Sequence, residues 1–386
     1  MEEQENKYNN VTIKVIGVGG AGNNALNRMY NDGLDNCELY VANTDYQVLL
    51  DSPIKNKITL GKEITKGLGA GANPEIGKQA AIASEETIKG VLREADMVFI
   101  AAGMGGGTGT GAAPVIAKIC KELGILTIGI VTRPFTFEGK TRNANAVSGL
   151  QELRPYVDSL IVISNDQLLQ ISGNVPLKES FGQADYILSH SVKTIVDLIT
   201  KPSLINLDFA DVKTIMQDKG TAIIGMGKGK GTNKATDAAS KAVSSPLLEA
   251  KIQGAKNAII NITGGTSMTI NDAQDAVEIV RSAAEDSDIN IIFGVNIDES
   301  LGDEMSVTVI ATEFRGHDLH NNIHKDDNLG LGQIDRINVE DLSGEVKKEE
   351  PKVEEHVDIQ EEVSKKDDDL TIEGDSFIPS FLRRRN

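Results

Sequence analysis

Residues 105–111 read Gly-Gly-Gly-Thr-Gly-Thr-Gly, and this stretch decides the fold class of the 386-residue chain. An apolar run at residues 97–102 precedes it and predicts a buried strand, while residues 112–123 predict a helix. Glycines at this density let the backbone wrap around a ligand and turn its N–H groups inward. The positive end of the following helix favours an anion at the same place, and the hydroxyls of Thr108 and Thr110 can add hydrogen bonds. We therefore predict a phosphate-binding loop in an α/β fold.

Strand-like and helix-like segments alternate between residues 11 and 200. The predicted strands lie at residues 11–16, 38–43, 97–102, 125–132 and 159–164. Helices are predicted at residues 23–31 and 177–200, and Pro202 ends the second of these. This alternation predicts a parallel sheet with helices on both faces, in which ligands bind at the carboxyl ends of the strands.

Residues 204–315 predict a second, smaller α+β unit with a mixed sheet. Its strands are predicted at residues 221–226, 257–263, 290–297 and 306–312, and its helices at residues 234–243 and 272–285. Only a short polar segment around residues 299–303 separates the last two strands, which predicts a hairpin. The glycine-rich residues 225–231 contain Lys228 and Lys230 and are interpreted as a mobile surface turn rather than as a further phosphate loop.

The composition changes abruptly at residue 316. Residues 317–370 carry 17 acidic and 7 basic residues and so contribute −10 to the net charge of −18. Apolar side chains are too scattered there to form a core, which predicts a disordered acidic linker at residues 316–371; residues 1–10 are also predicted to be disordered. Such an acidic chain is a poor candidate for binding DNA or RNA, because the phosphate backbone would repel it.

Three features favour the cytoplasm. No segment approaches the roughly 20 apolar residues that span a bilayer. The first six residues are acidic and polar, unlike a signal peptide. The two cysteines, Cys37 and Cys120, lack metal-ligand spacing, and both thiols are predicted to be buried and inert.

The end of the chain differs from the linker. Residues 375–385 read Asp-Ser-Phe-Ile-Pro-Ser-Phe-Leu-Arg-Arg-Arg, in which large apolar residues precede three arginines. After a solvated tether, this pattern predicts a short recognition peptide at residues 372–386. An ordinary frayed terminus is the alternative.

A second glycine run, at residues 17–22, matches the pattern G-x-G-x-x-G between a predicted strand and a predicted helix. Alone, it would indicate an NAD-dependent oxidoreductase, with Asp45 in the place of a ribose-binding acid. Two loops that converge on one triphosphate, however, explain both glycine runs within a single fold. No G-x-x-x-x-G-K-[ST] sequence occurs, which excludes a P-loop enzyme.

Two further pairs of residues are suited to bind a nucleotide. Glu138 could accept hydrogen bonds from ribose hydroxyls and Arg142 could reach phosphate or sugar oxygens; an i,i+4 ion pair is the alternative. The carboxylate of Asp185 could accept the two N–H donors of guanine, and Phe181 could stack on the base. From the residues alone, a helix-capping aspartate and a core phenylalanine are the better interpretation of this second pair.

Asn206, Asp208 and Asp211 form a polar set just before a predicted helix. Asp208 and Asp211 stand at i and i+3 and therefore face the same way. Aspartate at the start of a helix is commonly only a cap. The set could instead orient a water molecule for attack on a phosphate.

Together these segments resemble the FtsZ family, the tubulin-like GTPases of bacterial cell division. Residues 105–111 match the tubulin signature GGGTGTG, and residues 20–24, 133–142 and 206–211 match further family motifs in the same order. The resemblance extends from about residue 11 to residue 315. The terminal peptide is similar to the partner-binding tail of the family.

The resemblance implies a Rossmann-like GTP-binding domain at residues 11–176, a central helix at residues 177–203 and a C-terminal α+β domain at residues 204–315. The implied nucleotide contacts are Gly20, Ala21, Gly22, Asn23, Asn24, Gly103, Gly105, Gly106, Gly107, Thr108, Gly109, Thr110, Glu138, Arg142, Phe181 and Asp185. On this reading Phe181 and Asp185 form the guanine pocket. Mg²⁺ is expected to bridge the phosphates without a dedicated protein site.

The resemblance also implies head-to-tail filaments in which Asp208 and Asp211, supported by Asn206, polarise the water that attacks GTP on the adjacent subunit. Such filaments form the ring at the division site, in the cytoplasm at the inner face of the membrane at midcell. Residues 375–385 would bind membrane-tethering and regulatory division proteins. A filament scaffold without turnover is an alternative, against which Asp208 and Asp211 argue.

Overall fold

The computed structural model describes residues 11–172, 176–201, 203–205, 207–248, 250–285 and 288–314. The predicted disordered N-terminus, acidic linker and tail peptide lie outside these residues, and so do Pro202 and Asn206. Within the described ranges, no helix is both long enough and apolar enough to cross a bilayer.

In the described part of the chain, ten strands form one continuous sheet. The strands are β1 (Ile13–Val18), β2 (Glu38–Asn43), β3 (Asn56–Thr59), β4 (Met97–Gly103), β5 (Leu126–Arg133), β6 (Ser159–Ser164), β7 (Gly220–Lys230), β8 (Ala255–Gly264), β9 (Asn290–Ile297) and β10 (Glu304–Phe314). Their order across the sheet is β3-β2-β1-β4-β5-β6-β7-β10-β8-β9. The first six strands are parallel, and β10 runs antiparallel between β7 and β8. The predicted parallel sheet followed by a mixed sheet is confirmed.

The α-helices described here connect these strands. They are α1 (Gly19–Asn31), α2 (Tyr46–Asp51), α3 (Lys62–Thr65), α4 (Pro74–Ala83), α5 (Glu85–Leu92), α6 (Thr108–Glu122), α7 (Lys140–Leu153), α8 (Asn165–Ser172), α9 (Leu177–Thr200), α10 (Phe209–Met216), α11 (Lys234–Val243) and α12 (Ile270–Ala284). The predicted bounds of α9 and α11 agree with these, because their apolar periodicity and flanking residues mark both ends.

The central strands are buried on both faces, as expected for a parallel sheet covered by helices. All six residues of β1 are buried. On one face, Phe99 of β4 belongs to a core cluster with Leu26 of α1 and Leu188 of α9. On the other, Ile100 belongs to a cluster with Ile116 of α6. The long helix α9 therefore packs against the same face of the sheet as α1.

The predicted hairpin around residues 299–303 is wrong. β9 pairs in parallel with β8, with Asn257 opposite Asn290, and β10 lies between β7 and β8. The physical reason is burial: Val307, Val309 and their neighbours form a nearly continuous buried run along β10. Such a strand is suited to the middle of a sheet, where both of its edges are paired.

The interpretation of residues 225–231 as a mobile surface turn is also wrong, because most of this stretch belongs to β7. A Cβ atom on Gly227 would collide with the carbonyl oxygen of Ala238 in α11. Gly225 and Gly229, which face the same side of the strand, lie equally close to that helix. The alternating glycines allow close packing of helix on strand.

Candidate nucleotide-binding site

The two glycine runs meet at the carboxyl ends of β1 and β4. These strands are neighbours, with Val18 opposite Ala102. Gly19 has a φ of +73°, and a Cβ atom there would lie only 2.8 Å from the amide nitrogen of Gly109. The contact therefore requires glycine for both its conformation and its space. The loops converge as predicted, and we call the site between them the cradle.

Other glycines of the two runs bring backbones together around the cradle. A Cβ atom on Gly22 would collide with the carbonyl oxygen of Ala101, and one on Gly103 would lie 2.6 Å from the Cβ atom of Ala21. Gly105 has a φ of +102°, which disfavours a side chain. These positions shape the cradle through backbone packing.

The open side of the cradle is formed by small or polar exposed residues. Gly20, Ala21 and Asn24 are exposed, and Gly106 has free space in the direction of a side chain. The first turns of α1 and α6 begin here without a side-chain cap or an acidic residue. Because the first N–H groups of a helix lack intrahelical acceptors, the two helix starts offer donors and positive dipole ends to an anion.

A third glycine-rich segment, residues 66–72, borders the cradle; we call it the third loop. A Cβ atom on Gly107 would lie 2.8 Å from that of Ala70 and 2.9 Å from the backbone nitrogen of Asn73. This loop was not predicted from the sequence. The alternating Gly67, Gly69 and Gly71 were the available signal.

The hydroxyls of Thr108 and Thr110 have partners within the protein. Thr110 Oγ1 accepts the N–H of Gly105 at 2.8 Å and so closes the second glycine run on itself. Thr108 Oγ1 lies 2.6 Å from Thr44 Oγ1, at the end of β2. Gly107, Thr108 and Gly109 are buried, so protein contacts hold their side of the cradle.

Asn23 is fully buried and serves the architecture of the cradle. Its Nδ2 atom donates to the carbonyl oxygen of Gly17 at 3.1 Å, and its Oδ1 atom accepts from Asn43 Nδ2 at 2.7 Å. Asn43 in turn accepts the N–H of Asp45. The side chain of Asn23 therefore joins the first glycine run to the end of β2.

Phe181 and Asp185 lie one turn apart on α9, beside the loop that follows β5. Phe181 is 40 % exposed and packs edge-on against Phe135, with ring centroids 5.2 Å apart. Asp185 lies inside the helix, where burial raises the pKa of its carboxyl to about 6 against the opposing effect of Arg28. The interpretation as a core phenylalanine and a helix cap is therefore wrong. The half-exposed ring of Phe181 and the half-buried carboxylate of Asp185 lie on the same face of α9.

Glu138 belongs to a short turn after β5. Its Oε1 atom accepts the N–H of Phe135 at 2.9 Å, and its Oε2 atom pairs with Arg142. The i,i+4 ion pair considered above is therefore present. Asp166 anchors the same turn, since it accepts the N–H and the hydroxyl of Thr136 at 3.0 and 2.6 Å. Sequence analysis missed Asp166.

Asn165 is a further polar residue that sequence analysis missed. It follows β6 directly, is only 6 % exposed, and its Oδ1 atom has no hydrogen-bond partner among the described residues. An unpaired buried acceptor is costly, so a ligand N–H would stabilise it. The signal in the sequence was a polar pair, Asn165 and Asp166, directly after an apolar strand.

Asp208 and Asp211 lie apart from the cradle, near the amino end of β6. Helix α9 runs from the cradle toward the amino ends of the strands. Near its start, Phe181 packs against Phe135, just after the carboxyl end of β5. About 24 Å further along the helix, the charge of Asp197 raises the pKa of Cys37, which lies just before the amino end of β2. Helix α10 ends at the amino end of β6, where Ser159 Oγ donates to the carbonyl oxygen of Met216 at 2.6 Å. The eight residues of α10 span about 12 Å, so Asp208 and Asp211 at its start lie within about 12 Å of this amino end.

Cys120 is buried as predicted, whereas Cys37 is only half-buried. Burial raises the pKa of the Cys120 thiol to about 12. Burial and then the nearby charge of Asp197 raise the pKa of the half-buried Cys37 to about 12. A raised pKa disfavours the reactive thiolate form of both residues at neutral pH.

The parallel sheet with two glycine loops converging at its carboxyl edge defines a nucleotide-binding α/β protein. Two family models match the chain: the GTPase domain of the tubulin/FtsZ family over residues 12–173, and the C-terminal domain of the FtsZ family over residues 220–315. The chain therefore belongs to the FtsZ family, and it is a GTP-binding GTPase. The alternative of an NAD-dependent oxidoreductase is wrong; Asp45 instead caps α2 by accepting the N–H of Gln47 at 2.9 Å.

Solved structures of tubulin-like proteins share this fold. FtsZ from M. jannaschii, described as an empty dimer, is 44% identical, with a TM-score of 0.77 over 81% of this chain and 90% of that chain. CetZ2 from Haloferax volcanii, a GTPγS-bound protofilament, is 19% identical, with a TM-score of 0.67 over 80% of this chain and 95% of that chain. CetZ1 from the same organism, a GDP-bound monomer, is 19% identical, with a TM-score of 0.69 over 81% of this chain and 97% of that chain.

Proposed function

We propose that this protein assembles head-to-tail into filaments and hydrolyses GTP at each contact between subunits. The observation that carries the proposal is the separation of the cradle, at the carboxyl ends of β1 and β4, from Asp208 and Asp211, near the amino end of β6. A neighbour stacked in the same orientation would bring its amino side, with both carboxylates, to the cradle. The dimer of M. jannaschii FtsZ and the protofilament of CetZ2 support an assembly of this kind.

The phosphates of GTP are assigned to the cradle. The exposed residues Gly20, Ala21 and Asn24, the open position at Gly106 and the first turns of α1 and α6 support this assignment. The other proposed nucleotide contacts, which also shape the cradle, are Gly22, Asn23, Gly103, Gly105, Gly107, Thr108, Gly109 and Thr110. Two helix dipoles and a set of N–H donors stabilise the phosphate charge.

The guanine base is assigned to the region between Phe181 and Asp185. An ionised Asp185 can accept from the ring N–H and the exocyclic amine of guanine, whereas adenine lacks this pair of donors. The unpaired Oδ1 of Asn165 is a further acceptor for a base N–H. Glu138 and Arg142 are assigned to the ribose and phosphate, for which their mutual ion pair would have to rearrange.

Hydrolysis requires a group that orients and deprotonates the attacking water. The described residues of the cradle supply none, since Glu138 and Asp166 are engaged in the turn after β5. Asp208 and Asp211 of the neighbouring subunit would supply it, and Asn206 is proposed to support them. An isolated subunit would therefore bind GTP and hydrolyse it slowly.

Mg²⁺ is proposed to accompany GTP. Within the described ranges, no three side chains of His, Cys, Asp or Glu lie together as a metal-binding group. The proposed ion would be held mainly by phosphates and water rather than by a protein cage. When bound, the ion neutralises phosphate charge.

Family membership alone supports the remaining proposals. They are a GTP-binding domain at residues 11–176, a central helix at 177–203, a C-terminal domain at 204–315, a linker at 316–371 and a tail at 372–386. We further propose that the filaments form the division ring in the cytoplasm, at the inner face of the membrane at midcell. Residues 375–385 would recruit membrane-tethering and regulatory proteins.

The decisive experiment measures GTP turnover per subunit over a range of protein concentrations, alongside sedimentation with GTP, with GDP and without nucleotide. Turnover per subunit is expected to rise above a threshold that coincides with sedimentation in GTP. Turnover per subunit that is constant across the range would overturn the shared site. The double variant Asp208→Asn/Asp211→Asn is the control, since it is expected to bind GTP and sediment without turnover.

A further inference from the structure

Two buried hydroxyls hold the C-terminal end of α10. Ser159 Oγ donates to the carbonyl oxygen of Met216 at 2.6 Å, and Thr312 Oγ1 donates to the carbonyl oxygen of Ile215 at 2.8 Å. All four residues are fully buried. The last carbonyl groups of a helix have no N–H partner within the helix, and buried ones need a donor from elsewhere. The two hydroxyls supply such donors to α10.

The two hydroxyls come from strands on either side of β7. Ser159 begins β6 and lies opposite Gly220, whereas Thr312 lies near the end of β10, opposite Ala222. The chain leaves α10 at Met216 and enters β7 at Gly220, between the two donors. The end of α10 is therefore fixed to the parallel half and to the mixed half of the sheet.

Asp158 fixes the connection between α10 and β7. Its Oδ2 atom accepts the N–H of Thr127 at 2.8 Å, and its Oδ1 atom accepts the N–H of Asp218 at 3.2 Å. Its carbonyl oxygen accepts the N–H groups of Lys219 and Gly220 at 2.9 and 2.8 Å. The end of α10 therefore cannot slide along the helix axis without breaking these hydrogen bonds.

The opposite end of α10 carries Asp208 and Asp211, which we call the acidic pair. Leu207 and Val212 anchor this end, since both are buried. The eight residues of α10 form a hydrogen-bonded rod about 12 Å long, so they move as one body. A tilt of about 5° about one end of such a rod moves the other end by about 1 Å. A misplacement of about 1 Å can slow a reaction about a hundredfold.

We propose that Ser159 and Thr312 are positioning residues for the acidic pair. Their hydroxyls set the tilt of α10, and the tilt sets the place at which the pair meets the nucleotide of the neighbouring subunit. Without either hydroxyl, a buried carbonyl group loses its donor, and α10 shifts to find another. The inference rests on the proposed function, because the acidic pair acts only at a shared site.

The test uses Ser159→Ala and Thr312→Val, each of which removes one hydroxyl with little change in shape. GTP turnover per sedimented subunit is expected to fall about tenfold in each variant, while unassembled subunits bind GTP with wild-type affinity. Thr312→Ser keeps the hydroxyl and should restore turnover. Because turnover is counted per sedimented subunit, a loss of folded protein does not register as a loss of activity.

Ser191→Ala is the matched control for Ser159→Ala. Ser191 is also fully buried, and its Oγ atom also donates to a carbonyl oxygen at 2.6 Å, that of Ile187 within α9. This variant is expected to turn over GTP like the wild type. An effect that depends on the position of α10 is thereby separated from the general loss of a buried hydroxyl bond.

Mixing of variants shows which side of the subunit contact is affected. Asp185→Ala supplies an intact acidic pair, so its equimolar mixture with Ser159→Ala is expected to recover about a quarter of wild-type turnover. Asp211→Ala supplies no intact pair, so its mixture with Ser159→Ala should turn over less GTP than Ser159→Ala alone. A general structural defect would not distinguish the two mixtures.

Three results would overturn the inference: wild-type turnover in both hydroxyl variants, an equal loss in Ser191→Ala, or recovery of Ser159→Ala by Asp211→Ala rather than by Asp185→Ala. Failure of the shared site itself is recognised separately, because Asp211→Ala and Asp185→Ala then fail to restore turnover to each other.

Discussion

Asp208 and Asp211 cap the start of α10 for each other. Asp208 Oδ1 accepts the N–H of Asp211 at 2.8 Å, and Asp211 Oδ2 accepts the N–H of Asp208 at 3.4 Å. The helix-cap interpretation is therefore correct for this pair, and it is compatible with a role in catalysis. The reciprocal cap holds both carboxylates in place. Each carboxylate uses one oxygen for the capping hydrogen bond and retains the other.

Substitution of Asp208 separates the two roles. Asn is as good an N-cap as Asp, so Asp208→Asn is expected to keep wild-type stability while GTP turnover falls at least about a hundredfold through loss of the charge. Asp208→Ala should lose the same turnover and in addition about 1 kcal/mol of stability. Steady-state turnover and thermal unfolding of both variants check this. If Asp208→Asn turns over GTP like the wild type, the carboxylate has no role in the chemistry.

Mixing two inactive variants tests whether the site is shared. Asp211→Ala keeps the cradle, and Asp185→Ala keeps the acidic residues but loses the guanine contact. In an equimolar mixture, one contact in four combines an intact cradle with an intact acidic pair, so about a quarter of wild-type turnover is expected. Asp211→Ala alone, at the same total protein concentration, is the control. No recovery in the mixture would place both functions in one subunit.

The affinity for GTP should fall in mild acid. Burial raises the pKa of the Asp185 carboxyl to about 6, so the proton it binds between pH 7 and pH 5 removes the acceptor that guanine needs. The Asp185 carboxyl is mostly ionised at pH 7 and mostly protonated at pH 5, so we expect GTP to bind about tenfold more weakly at pH 5. Titration of GTP binding against pH measures this. Asp185→Asn should flatten the profile, and Arg28→Met should move its midpoint upward, since Arg28 lowers this pKa.

Close packing of α11 on β7 makes a specific prediction about stability. Gly227→Ala is expected to cost about 1–3 kcal/mol, because the new methyl group meets the backbone of α11. Gly90→Ala in α5 is the matched control: no atom lies within 4 Å of the added Cβ, so the helix should gain about 1 kcal/mol. Thermal unfolding of the two variants should shift in opposite directions. Equal midpoints would contradict the packing argument.

Much of the fold could be predicted because local patterns mark it. Apolar runs locate β2, β6 and β10, and the periodicity of 177–200 locates α9 within its actual bounds. The two glycine runs also predict their own meeting point, since parallel strands end at one edge. These inferences need no knowledge of distant contacts.

The rest depends on contacts between distant segments. Proximity along the chain suggested a hairpin of β9 and β10, whereas burial of β10 on both sides places it between β7 and β8. Glycine in β7 was attributed to flexibility because the helix that lies on it is not visible in the sequence. For the same reason Asn165 and Thr44 were not predicted. The buried unpaired oxygen of Asn165 and the hydroxyl pair of Thr44 with Thr108 form only when the chain folds.

Helix α9 has a further consequence if subunits stack with cradle against acidic residues. It spans the distance between those two surfaces, and its 24 residues measure about 36 Å. The length of the helix would then determine the distance between successive nucleotides along the polymer. Insertion of one helical turn into α9 would lengthen the helix by about 5.4 Å and rotate the part of the protein that follows it.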